Sequence, residues 1–99
     1  MNIKITGDGM ASASGRHAAD LHHFEAGDAW RVSWLPERLM DRNSAITAMT
    51  IAEYVAEHDD LAEGHRLWPH VEGWAEELGL TGLEAVSRVR ELSQQEMGQ

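Results

Sequence analysis

The sequence predicts an α+β fold: a small antiparallel sheet of two or three strands at the N-terminal end, then three helices packed on one face of it. Three observations carry that expectation. Trp30, Val32 and Trp34 alternate with Arg31, Ser33 and Leu35, the period of a strand. After Pro36 the apolar residues recur at helical spacing instead. Pro69, Gly79 and the pair Thr81 and Glu84 then punctuate the C-terminal third as helix boundaries do.

The elements follow in chain order. NIKIT (2–6) carries Ile3 and Ile5 on one side and reads as a short strand. The glycines and small polar residues of GDGMASASG place a flexible loop over residues 7–18. It is not a phosphate-binding loop, because it has no GxxxxGK[ST] pattern. ADLHHFE and AWRVSWL flank Ala26, Gly27 and Asp28, so 19–35 reads as a β-hairpin with a short glycine turn. Pro36 has no N–H for a ladder and is expected to end the second arm.

Asp41 or Asn43 is placed to cap a helix reaching Glu57 or so. Its apolar stripe is Ala45, Ala48, Met49, Ala52, Val55 and Ala56, with Ile51 at the edge. Small alanines there let the helix lie close to the face bearing Trp30, Val32 and Trp34. EHDDLAEGHR (57–66) breaks the pattern. Pro69 suits the first turn of a second helix, whose apolar positions are Leu67, Val71, Trp74, Ala75 and Leu78, with Gly79 ending it. Thr81 and Glu84 form a capping box for a third helix, expected to reach Leu92 on the stripe Leu83, Val86, Val89 and Leu92. Residues 94–99 are expected to fray.

Ninety-nine residues suit one domain, spanning 1–99. With 17 Asp and Glu against 8 Lys and Arg the formal charge is −9, and the basic residues are scattered. Such a chain repels phosphate backbones, so direct nucleic-acid binding is not expected; the acidity fits a basic protein partner, mimicry of nucleic acid, or solubility alone. The absence of cysteine excludes disulfides, thiolate metal centres and cysteine nucleophiles. No apolar run approaches the roughly 20 residues that span a bilayer. MNIKITGDGM also lacks the basic-then-apolar pattern of a secretion signal, so the expected location is cytoplasmic with no membrane association.

Candidate chemistry is sparse. His22 and His23 are adjacent, so on a strand they point to opposite faces and cannot share one ion. His65 and His70 are five apart across Pro69, which is not the spacing of a helical zinc pair. His17, Asp20 and His22 converge only if the tertiary fold brings them together. There is no GxSxG, no HExxH and no recognisable Ser/His/Asp context. No catalytic residue, metal ligand or cofactor is expected. Surfaces are more informative, because tryptophan and tyrosine are enriched at interfaces. Ile46 and Tyr54 fall outside the first helix's stripe, and Trp68 lies at the polar start of the second. Arg31 and Leu35 are expected on the uncovered side of the sheet. These five are the interaction candidates.

Trp30-Arg31-Val32-Ser33-Trp34-Leu35-Pro36, then Arg38-Leu39, and Arg42-Asn43-Ser44-Ala45-Ile46-Thr47-Ala48-Met49-Thr50-Ile51-Ala52-Glu53 together form a recognisable block. It resembles small uncharacterised proteins of high-GC actinobacteria and their phages that share a WxVSWLPxRxL…RxxAITAM…AE core. The resemblance covers about a quarter of the chain. It implies a bacterial or phage accessory protein and transfers no catalytic role.

The expected function is therefore non-enzymatic protein–protein interaction, with an acidic surface steering a basic partner and a few apolar anchors holding it. Self-pairing as a homodimer is a further expectation for so small a domain. A DNA-associated regulator is the alternative, with Arg88 and Arg90 of the third helix as its basic face. A ligand- or metal-binding protein using His22 or His23 is the second alternative.

Overall fold

The computed structural model describes residues 3–12 and 17–97, with the backbone alone at Ser12 and over 92–97. The α+β class holds, in the order β1 (Ile3–Ile5), β2 (Gly9–Ser12), β3 (Ala18–Phe24), β4 (Gly27–Val32), β5 (Leu35–Met40), α1 (Arg42–Glu57), α2 (Trp68–Glu77) and α3 (Gly82–Met97). The sheet is an antiparallel meander of five strands in sequence order, where two or three were expected.

The two additional strands arise where composition concealed them. β2 lies inside the stretch expected to be a loop; Met10 pairs with Ile5 on one side and Ala19 on the other, and its side chain is buried. Residues 13–16 of that stretch lie outside the described residues. β5 exists because the second arm of the hairpin stops at Val32, not at Pro36. Ser33 and Trp34 form a tight turn, and Leu35 pairs back onto Val32. Pro36 is then the second residue of an edge strand, where a missing N–H costs no ladder bond. The β3–β4 turn is Glu25–Ala26, and Gly27 after it has φ 130°, a conformation that side chains resist.

Asp41 caps α1: its Oδ1 accepts the Ser44 N–H at 2.7 Å. The helix lies against β1, β2, β3 and β4, while α2 and α3 pack on it and on each other. Among the described residues α1 is the helix sandwiched between sheet and helices, so the three are not equals on one sheet face. This explains why Thr50 and Glu53 are buried beside the expected Ala45, Ala48, Met49, Ile51, Ala52 and Val55. Ala56, expected in the stripe, is exposed. Trp34, buried in the turn, donates Nε1–H to the Ala48 carbonyl at 3.0 Å.

The end of α2 satisfies its own carbonyls: Leu80 N–H reaches Ala75 O and Gly79 N–H reaches Glu76 O, both at 2.9 Å. Gly79 takes φ 76° to permit this. The capping box of α3 forms reciprocally, Glu84 N–H to Thr81 Oγ1 and Thr81 N–H to Glu84 Oε1, both at 3.1 Å. α3 runs to Met97, five residues beyond the expected Leu92 and into the stretch expected to fray; residues 98–99 lie outside the described residues. Leu83, placed on its buried stripe by spacing, is 59% exposed. Gly82 and Ala85 turn inward in its place. Among the described residues no helix is long and apolar enough to cross a membrane.

Candidate functional site

The most distinctive surface is built from helical i, i+4 pairs. At the end of α1, Tyr54 and the capping residue His58 lie one turn apart, ring centroids 6.0 Å apart and planes tilted by 51°. On α2, His70 and Trp74 repeat the arrangement at 6.1 Å. The two pairs meet where Tyr54 and Trp74 make an edge-to-face contact, with centroids 4.9 Å apart and planes at 79°. Such a pair contributes about 0.5–1.5 kcal/mol beyond its area burial. Both rings stay half-exposed.

The connection between α1 and α2 adds a fifth ring. His65 lies 5.6 Å from His58. The connection is anchored by Leu61, which is fully buried, and by Arg90 of α3, whose Nη2 donates to Asp59 O at 3.1 Å and Leu61 O at 2.9 Å. His65 Nδ1 accepts the Leu67 N–H at 3.0 Å, leaving its proton on Nε2, which faces Asp60 Oδ1 at 3.4 Å.

His58, Asp60 and His65 bring three possible ligand atoms within 4.8 Å of one another. The hydrogen bonding disfavours a metal. A ring nitrogen that binds a cation normally leaves the other ring nitrogen carrying a proton to donate. Here the other nitrogen, Nδ1, already faces a donor, the Leu67 N–H. A metal at Nε2 would orphan that N–H at the start of α2.

Charge is concentrated in the same stretch of chain. Residues 57–77 hold seven acids (Glu57, Asp59, Asp60, Glu63, Glu72, Glu76, Glu77) and one base (Arg66), a net of −6 out of −9 for the chain. All eight side chains are exposed.

The five candidates from the sequence divide. Tyr54 belongs to this face. Ile46 is half-buried against the core. Arg31 is exposed on the outer side of the sheet, opposite Asp20. Leu35 and Trp68 are corrections, at 0% and 6% exposed. The turn at 33–34 sets Leu35 opposite Val32, and directly paired strand residues point the same way. Trp68 is held under α3, its Cζ2 lying 3.1 Å from where a Cβ on Gly82 would stand.

His22 and His23 part as expected: His22 lies near Phe24 at 6.4 Å, and His23 pairs with Asp28 at 2.8 Å. His17 does not converge with Asp20 and His22. It is buried, with Nδ1 2.9 Å from Ser33 Oγ and Nε2 3.3 Å from Val89 O. Sequence reasoning weighed His65 only against His70 and did not bring it together with His58 and Asp60, and it placed Trp74 in the core. The available signal was His58-x-Asp60-x₄-His65 astride Gly64, a spacing with no fixed geometry outside a helix.

Compared with known proteins, the chain matches no family model, and no curated protein or solved structure is significantly similar to it.

Proposed function

We propose that the protein is a non-enzymatic interaction module, an actinobacterial or phage accessory protein, that holds a basic segment of another protein on its α1–α2 face. The observation that carries this reading is the half-exposed Tyr54–Trp74 pair set within the most acidic part of the chain. Tyrosine and tryptophan are common anchors of binding energy, and their ring faces also attract Lys and Arg. The carboxylates of residues 57–77 steer a cationic partner and repel a second copy of the same segment. A DNA-reading α3 is less well supported. Arg88 is paired with Glu37 at 2.7 Å, and Arg90 is spent on the Asp59 and Leu61 carbonyls.

The test is fluorescence anisotropy with a labelled peptide rich in arginine and leucine. Binding should weaken as salt rises, and Trp74→Ala should weaken it at least tenfold, about the effect of losing a modest hot spot. Phe24→Ala, on the far side of the sheet, should leave it unchanged. Affinity indifferent to both salt and Trp74 would overturn the reading. Sedimentation equilibrium should show that the free protein does not self-associate through this face; a dimer dispersed by Trp74→Ala would assign the face to a second copy.

A further inference from the structure

We infer that acid switches this face through His65 and so releases what it binds; the release rests on the interaction reading above, whereas the switch does not. The Leu67 N–H can be accepted only by an unprotonated Nδ1. Protonation puts a second N–H opposite the first, so either the ring turns or the Leu67 backbone withdraws. The same turn is tied to α2 by Trp68 N–H to His65 O and to the connection by His65 N–H to Ala62 O, both at 2.9 Å. Disturbance at His65, whose side chain is only 14% exposed, therefore reaches the first residue of the helix that presents His70 and Trp74.

Electrostatics acts in the same direction. The titratable and charged groups around the switch are His58, whose ring lies 5.6 Å away and touches Tyr54 of α1, Asp60, 3.4 Å from Nε2, and Arg90 of α3, which donates to the Asp59 and Leu61 carbonyls of the same connection. Imidazoles ordinarily titrate between about pH 5 and 8. Charging His58, His65 and His70 adds three positive charges to a segment of net −6 and leaves −3. An imidazolium at His65 also draws Asp60, already 3.4 Å away, from any partner.

NMR across about pH 8 to 5 tests the switch without a partner. The ring nitrogens of His65 and the amide proton of Leu67 should titrate with one midpoint, and Leu67 should lose exchange protection on the acid side. His65→Asn places an untitratable oxygen about where Nδ1 stands, so it should keep the bond and abolish the transition. A Leu67 amide that does not follow the His65 ring, or that still titrates in His65→Asn, would overturn the switch. In the binding arm, the arginine–leucine peptide should bind about tenfold more weakly at the acid end, as three added positive charges imply. The difference should largely vanish in the chain carrying His58→Gln, His65→Asn and His70→Gln. Equal affinity at both ends sinks the release. No binding at either end sinks the interaction reading and the release with it, while the amide titration still decides the switch.

Discussion

Replacing Ala48 with leucine tests how closely α1 lies on the sheet. Ala45, Ala48 and Met49 have no exposed surface, and the Trp34 indole spans from the β4–β5 turn to the Ala48 carbonyl at 3.0 Å. That bond fixes the separation, because an N–H···O contact weakens once the helix moves out by about half an ångström. Leucine adds three carbons to a site with no free surface. The helix cannot retreat easily, since α2 and α3 pack on it as well.

Overpacking of this kind costs about 1–3 kcal/mol. Losing the indole bond adds about 1 kcal/mol. The sum, about 2–4 kcal/mol, is a large fraction of the roughly 5–15 kcal/mol typical of a domain this size. Urea unfolding followed by far-UV circular dichroism measures it. Trp34→Phe removes the bond together with part of a buried ring, and a double-mutant cycle separates the coupling of the two sites from those individual costs. If Ala48→Leu already breaks the bond, the double variant should be less destabilised than the sum of the singles by about 1 kcal/mol. A cost under about 0.5 kcal/mol for Ala48→Leu, or strict additivity, would refute a helix pinned by its alanines.

Three further outcomes are expected. Asp41 is held below its ordinary 3.8 by the Ser44 N–H, and Glu37 below 4.5 by its own backbone N–H and then by Arg88. Lowered folded values mean stability that is present above the unfolded values and lost as pH falls through the folded ones. The melting temperature should therefore drop as pH is lowered from about 4.5, and less steeply in Asp41→Asn, which can still cap the helix. Gly82→Ala should destabilise by about 1 kcal/mol despite alanine's higher helix propensity. Its Cβ would stand 2.7 Å from Glu72 Cγ, which can rotate away, and 3.1 Å from Cζ2 of the buried Trp68, which cannot; a raised melting temperature would contradict this. Leu83→Gln should change stability by less than about 0.5 kcal/mol in the same melts, because Leu83 faces solvent.

What the sequence disclosed, and what it hid, follow from the range of the interactions involved. Caps and turns are local, so Asp41, Gly79 and the Thr81–Glu84 box could be read directly. The Trp30 and Val32 alternation was legible because β4 has one covered face. Leu35 was not, because a two-residue turn changes which residues share a face without changing the alternation of residue types. β2 was hidden by its small residues, since one buried Met10 among glycine, alanine and serine gives no periodic signal. Leu83 fits a helical stripe by spacing, yet the closeness of α2 and α3 rotates Gly82 and Ala85 inward.

The candidate face was the least legible part, and the reason lies in α1. A helix covered by the sheet on one side and by two helices on the other has little surface left for recognition. The aromatic side chains that remain half-exposed gather near its C-terminal end, where Tyr54 meets α2. Trp74 reads as a core position on its own helix because its periodicity is that of the buried stripe. It becomes half-exposed only because it packs against Tyr54 at the rim of the bundle. Neither residue alone marks a surface, and the nineteen positions between them obey no periodicity that could pair them. The carboxylates of 57–77 were visible from the start as composition. Folding adds what composition lacks, an aromatic pair at the rim of the bundle that can anchor what those charges attract.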